Sequence, residues 1–249
     1  MAASPLEAST KVVFIGIGGA TSSGKSTLAK HLQSILPSSI LIHQDDFAPP
    51  QELVPTHPEH QVQDWDAAPG AIDWQRFVQF LSYLKATGVM PADHRSHDYL
   101  NEQKYIPISG NVQKKWVTEF KAFHKERQDI VWIIVDGFLL YWHPDVIETL
   151  DVRVLLRVPH DVLKRRRHER HGYHTAEGAL WRDPPNYWEN IVYPAYVDAH
   201  YELFENGDVE RGALGSKVPD LMLLDILEMT MDEAVDRCCR VIREHTRDI

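Results

Sequence analysis

The residues Gly19-Ala20-Thr21-Ser22-Ser23-Gly24-Lys25-Ser26-Thr27 fit the spacing G-x-x-x-x-G-K-[ST] and directly follow the apolar run Val12–Ile17. This spacing suits the binding of a triphosphate. The glycines let the backbone wrap closely and aim N–H groups at phosphate oxygens, and the following helix presents the positive end of its dipole. Lys25 then reaches the β- and γ-phosphates, and the Ser26 hydroxyl can ligate Mg²⁺. A plain glycine- and serine-rich turn has the same composition, but the strand-like run before it and the Leu28, Leu32, Leu36 spacing after it supply the context a nucleotide loop needs.

Carboxylates recur where a phosphoryl-transfer site would use them. Asp45 and Asp46 follow a short apolar run, twenty positions beyond Lys25 in the case of Asp45. At the carboxyl end of a parallel strand they face the phosphates, where one can take a proton from an attacking hydroxyl or help hold Mg²⁺. Caps for the following turn are the rival reading. The run Ile133-Ile134-Val135 ends in Asp136, placed to hold Mg²⁺ directly or through water. Asp64-Trp65-Asp66 offers a carboxylate for two hydroxyls of a ribose and an indole face for a flat ring; a Trp65 that plugs the core edge is the rival reading.

A dense cationic block, Lys164-Arg165-Arg166-Arg167-His168-Glu169-Arg170, stands out in an acidic chain. Guanidinium groups suit the charge that spreads over a phosphoryl group in transfer. At helical spacing Arg166 and Arg170 share a face while Arg167 points about 100° away, so one face can serve the nucleotide and the other the acceptor. A solvated face and a nuclear-localisation cluster are the alternatives. Gly172 and Tyr173 follow as a hinge and an aromatic for a closing lid.

The elements that must position these residues follow from periodicity. Apolar, β-rich runs at Val12–Ile17, Ile40–Ile42, Ile130–Val135, Val152–Val158 and Leu221–Leu224 alternate with helical spacing, which predicts an α/β fold with a mostly parallel sheet flanked by helices in three layers. Asp73 is expected to cap a helix buried through Phe77, Phe80, Leu81 and Leu84, and Gly88 to stop it. Helices are expected from Val112 to about Lys125 and from Asp232 to His245. Residues 90–129 read as an insertion beside the nucleotide site within a single domain, 1–249, with a helical lid at about 164–186. His94 and His97 lack a third metal partner and read as exposed loop residues.

With 249 residues, 26 basic against 36 acidic and a net charge of −10, the chain is long enough for one such domain. The charge disfavours nucleic acid or anionic membrane as partner and suits a small neutral or cationic substrate. Two adjacent cysteines, Cys238 and Cys239, form no disulfide framework and point to a reducing compartment. No apolar run approaches the ~20 residues of a membrane span. Met1 to Lys11 resembles neither a secretory signal nor a transit peptide, so a cytoplasmic location is expected, with nuclear entry open. Protein partners are not legible.

The phosphate loop, Gln44-Asp45-Asp46-Phe47, Trp65-Asp66, Val135-Asp136-Gly137-Phe138, Arg165 to Arg170, Gly172-Tyr173, Trp181-Arg182-Asp183-Pro184-Pro185-Asn186-Tyr187 and Leu203 to Glu210, taken in this order, resemble the nicotinamide riboside kinases, especially the fungal form. The resemblance implies a P-loop kinase fold and ATP-dependent, Mg²⁺-assisted phosphorylation of the ribose 5′-hydroxyl of nicotinamide riboside, giving nicotinamide mononucleotide for NAD synthesis. It implies Asp45 as base and metal neighbour, Ser26 and Asp136 on Mg²⁺, and Arg166 and Arg170 toward ATP. Asp46, Phe47, Asp66, Arg167 and Gly172 would line the riboside site, with its ring bracketed by Trp65 and Tyr173. The fixed positive charge of that ring is attracted to an aromatic face by about 0.5–2 kcal/mol, which neutral uridine lacks. Uridine or cytidine kinases are the alternative, and a nucleotide switch or scaffold a more distant one.

Overall fold

The computed structural model describes residues 11–101, 103–126, 130–170 and 172–247. The expectation about a leader at the N-terminus falls on residues outside this set. Five strands form one parallel sheet: β1 (Lys11–Gly19), β2 (Ser39–His43), β3 (Ile130–Gly137), β4 (Val152–Arg157) and, late in the chain, β7 (Leu221–Asp225), in the order β2-β3-β1-β4-β7. Two further strands, β5 (Tyr173–His174) and β6 (Leu180–Trp181), make a separate antiparallel hairpin. The helices are α1 (Lys25–Ile35), α2 (Ala68–Ala71), α3 (Trp74–Thr87), α4 (Gly110–Glu126), α5 (Pro144–Thr149), α6 (His160–His168), α7 (Tyr193–His200) and α8 (Met231–His245).

Helices cover both faces of the sheet because its strands are apolar on both. Along β1, Val13, Ile15 and Ile17 join Leu28, Leu32, Trp116, Phe120 and Val235 in a cluster under α1, α4 and α8. Phe14, between them, turns to the opposite face with Phe77, Leu81 and Leu84 of α3. This is the two-residue alternation of a pleated strand with a core on each side. A third cluster packs Leu163 of α6 with Tyr187, Trp188 and Ile191.

The helix signals act as expected. The Asp73 side chain accepts from the N–H of Arg76, and Gly88 ends α3 at φ 60°, a left-handed value that favours glycine. The insertion divides in two. Its second half is α4, whose Trp116 and Phe120 are part of the core, so only the first half lies beside the nucleotide loop. His94 and His97, expected as exposed, are half-buried against Asp46 and Ala176. The segment expected as a helical lid is α6 followed by the β5–β6 hairpin: at Gly172, φ is 138° and an added Cβ would sit 2.6 Å from the Trp181 carbonyl oxygen, so the chain turns here as glycine permits.

Candidate active site

The loop between β1 and α1 is built around an open helix end. Gly24 stands at the N-cap of α1 with φ 99°, no side chain caps this end, and no acid lies in its first turn. The first N–H groups therefore remain available to an anion, and the space a Cβ would occupy at Gly24 is empty. At Gly19 an added Cβ would come within 2.7 Å of the Leu156 carbonyl oxygen, so the loop leaves the sheet where only glycine fits. Ser22 holds φ 63°, and its carbonyl accepts a bond of 3.2 Å from Nη1 of Arg166. Ser23 Oγ is buried without a partner. The loop thus offers the uncapped N–H groups of α1 and the unpartnered Ser23 hydroxyl to an anion, the requirement for cradling phosphates.

Lys25, Asp45, Trp65, Asp66, Arg167 and Tyr173 line one cleft of about 660 Å³, together with Thr21 and Trp181. Asp45 comes from the 3₁₀ turn Gln44–Phe47 at the end of β2, and its carboxylate opens to this cleft. Its proton affinity is raised above the ordinary carboxyl value, chiefly by desolvation within the surrounding protein, with Lys25 opposing and Asp136 adding to the rise.

A smaller pocket of about 360 Å³ adjoins it and shares Asp45 with Ser26, His43, Asp46 and Asp136. Asp136 closes β3, is 3 % exposed, and binds His43 Nδ1 through Oδ2 at 3.1 Å. Its Oδ1 has no partner. Burial alone would raise the Asp136 carboxyl, but the hydrogen bond from His43, the Lys25 charge and the Ser26 hydroxyl together hold it below the usual range. His43 is correspondingly raised to about 9: burial opposes the proton, and the carboxylates of Asp136, Asp98 and Asp46 outweigh it. Among the described residues no group of three or more His, Cys, Asp or Glu side chains is placed to hold a metal ion alone. An ionised carboxylate with a free buried oxygen beside a hydroxyl nevertheless fits Mg²⁺, which usually takes one or two protein oxygens and completes its shell with phosphates and water.

Arg167 is 7 % exposed and answers two acids: Asp183 through a bidentate pair at 2.6 and 3.0 Å, and Asp66 at 3.5 Å. One guanidinium against two carboxylates leaves an excess negative charge. Asp66, with an unpartnered Oδ2, is raised to about 6, first by burial and then by Asp183 and Asp64, with Arg167 pulling the other way.

The remaining expected site residues are distributed as follows. Arg166 reaches the phosphate loop, and Arg170 lies past the end of α6, its guanidinium 5.0 Å from the Tyr173 ring centre. Arg167 occupies the same ring at 4.7 Å, and the Tyr173 hydroxyl lies 3.5 Å from both Thr21 Oγ1 and Ser22 Oγ. Asp46 is turned to Ser96 at 3.0 Å, and Phe47 is buried between Phe77 and Phe80, behind the cleft. Trp65 packs at 5.7 Å against Trp181. Asp183, Trp181, His43 and Asp98 join the site without having been singled out by residue type or spacing. Trp181 and Asp183 fall in the Trp181–Tyr187 motif, which was the available signal; for Asp98, in an irregular polar stretch, there was none.

No family model matches the chain. The nicotinamide riboside kinase of Schizosaccharomyces pombe is 36% identical to it over 208 residues, 84% of this chain and 87% of that protein. The nicotinamide riboside kinase of Eremothecium gossypii is 34% identical over 218 residues, 88% of each. Nicotinamide riboside kinase 2 of mouse is 28% identical over 216 residues, 87% of this chain and 94% of that protein.

Proposed function

The chain belongs to the nicotinamide riboside kinase family, and from that premise we propose that it transfers the γ-phosphoryl group of ATP to the ribose 5′-hydroxyl of nicotinamide riboside, forming nicotinamide mononucleotide. The observation that carries this reading is the sharing of one cleft by Lys25 and Asp45 with Trp65, Asp66 and Arg167, so that a cation suited to phosphate and a carboxylate suited to act as base stand beside a pocket walled by Trp65, Tyr173 and Trp181. A ring of fixed positive charge suits that pocket better than a neutral base does.

In this mechanism the backbone N–H groups of Gly19–Thr27 and the α1 N-terminus cradle the triphosphate. Lys25 and Arg166 draw charge off the phosphates. Asp66, steered by Arg167, accepts the ribose hydroxyls and so sets the distance of the 5′-oxygen from the nucleotide. Asp45 takes the proton of that hydroxyl as its oxygen bonds to phosphorus and the bond to ADP breaks. Ser26, Asp136 and Asp45 would hold Mg²⁺, which neutralises charge on the β- and γ-oxygens when bound. Trp65 offers its face to the nicotinamide ring. Tyr173 carries the arginines and contacts the phosphate loop.

The test is ATP consumption with and without nicotinamide riboside. Turnover is expected to be slow alone and to rise steeply with the riboside, and Asp45→Asn to lower the stimulated rate by about 10²- to 10⁴-fold at little change in fold. Consumption indifferent to the riboside would refute the acceptor, and a fully active Asp45→Asn would refute the base.

A further inference from the structure

The first half of the insertion runs between α1 with its phosphate loop on one side and the lid hairpin on the other, and bonds to both. Asp98 receives Lys30 Nζ of α1 at 2.6 Å and holds Gln103 Nε2 at 3.0 Å, so the segment is tied to the helix that carries the phosphate loop. Ser96 donates to Asp46 at 3.0 Å, next to the base Asp45. From the same stretch, two bonds go to main-chain atoms of the lid hairpin. The His174 N–H donates to Asn101 Oδ1 at 2.9 Å, and His97 Nδ1 lies 2.9 Å from the Ala176 carbonyl oxygen. A carbonyl only accepts, so Nδ1 carries the proton. The His97 ring also lies against Gly178, where an added Cβ would be 3.2 Å from it. On the other side of the hairpin tip, Glu177 accepts from the Gln51 N–H at 3.2 Å.

The hairpin's own ladder does little to fix it, and beyond these ties it is held through side chains: the Tyr173 hydroxyl near Thr21 and Ser22, Arg167 and Arg170 over the Tyr173 ring, and Trp181 against Trp65 and Tyr187. It pairs only two residues from each strand, far short of a self-standing sheet. Yet it carries Tyr173 and Trp181, two walls of the cleft. Its position is thus set by what it is tied to, and Asn101 and His97 bind its backbone whatever side chains it bears.

We propose that residues 96–101 are a strap that fixes the lid hairpin at its working angle over the acceptor pocket, with Asn101 and His97 as positioning residues and Asp98 as the anchor to α1. This rests on the kinase reading of the cleft for its effect on turnover, and on the geometry alone for its effect on the hairpin. Losing either bond loosens the hairpin backbone between the contacts of Tyr173 and Trp181, because its own ladder is too short to hold it. The acceptor site, partly built from the hairpin, suffers, whereas the phosphate loop, built from β1 and α1, keeps its shape.

The experiment uses the full chain with Asn101→Leu, His97→Phe and His97→Asn. Phenylalanine keeps a ring against Gly178 and lacks the N–H; asparagine restores an N–H near the place of Nδ1. In the absence of ligand, amide hydrogen exchange over 173–181 is expected to quicken about tenfold in Asn101→Leu and His97→Phe, with α8 unchanged as the check on folding. The KM for nicotinamide riboside is expected to rise about 3- to 10-fold for each lost bond while the KM for ATP stays near wild type, and His97→Asn is expected to recover most of the loss. Unchanged exchange over 173–181 in both variants would overturn the strap, as would equal impairment of His97→Asn and His97→Phe, or a parallel rise in both KM values. Should Asn101→Leu fail to fold, the His97 pair decides by itself. A wild-type protein indifferent to the riboside would refute the acceptor assignment and leave the exchange result to judge the strap.

Discussion

At the scale of single residues, charge balance around Arg167 decides how the acceptor pocket behaves. Two acids share one buried guanidinium, and the Asp66 carboxyl is raised to about 6, first by its burial and then by the neighbouring charges of Asp183 and Asp64, with Arg167 opposing. In the folded chain Asp66 keeps its proton at pH values where the unfolded chain, near 3.8, has released it. Its contribution to stability therefore declines as pH rises from about 3.8 to about 6 and is level above that. Binding runs the other way. An ionised Asp66 accepts two hydroxyls and attracts a cation, and a protonated one does neither as well, so the KM for the riboside is expected to climb as pH falls through about 6. Asp66→Asn should bind weakly at every pH and show no such inflection; a wild-type profile flat from pH 5 to 8 would separate Asp66 from the acceptor. Asp66 and Arg167 were both legible as candidates, because carboxylates and guanidinium groups have few uses beside a nucleotide loop. Their pairing, and the place of Asp183 in it, was not, since these residues are far apart along the chain.

At the scale of elements, the strongest local signals were those whose physics is contained within one turn. Asp73 ahead of α3 and Gly88 behind it act through the backbone groups beside them, and both are found in those roles. Asp73→Ala is expected to cost about 1 kcal/mol, read as a lower urea midpoint at unchanged slope; a midpoint within error of wild type would mean that the exposed Asp73 cap contributes nothing. The lid shows the opposite case. The Arg-rich block reads as helix from its spacing, but α6 stops at His168, and the chain goes on as a hairpin positioned by tertiary contacts with the strap, Gln51, Trp65 and Arg167. Tertiary contact overrides periodicity there because a two-residue ladder has no local stability to announce itself.

At the scale of the whole molecule, the sheet order β2-β3-β1-β4-β7 brings the ends of β1, β2 and β3 side by side. In register, His43 lies opposite Asp136, and Ile17 opposite Asp136 on the other side. The phosphate loop, Asp45 and Asp136 are thereby gathered at one edge of a sheet packed on both faces. Cys238 and Cys239 lie deep in one of those packed layers, with the Cys238 thiol pushed up to about 12 by burial and Cys239 raised as well. Both are therefore expected to resist a thiol reagent at pH 8 and to label only as the fold opens globally, at a rate that follows the unfolding equilibrium in urea. Rapid labelling in native buffer would show that α8 detaches on its own.

Sequence alone determined the chemistry that is carried by neighbours in the chain: the phosphate loop, the strand-ending carboxylates, the arginine block, the parallel α/β alternation and the helix caps. Each rests on spacing, on backbone conformations that few residues adopt, or on periodic burial, and these are properties of short segments. Only the tertiary structure decided which candidates meet. It turned Phe47 into the core, set both Arg167 and Arg170 against Tyr173, divided the insertion into a core helix and a strap, and raised the Asp66 carboxyl by burying it. Such outcomes depend on distances between residues remote in sequence and on the solvent removed from between them, and no local pattern records either.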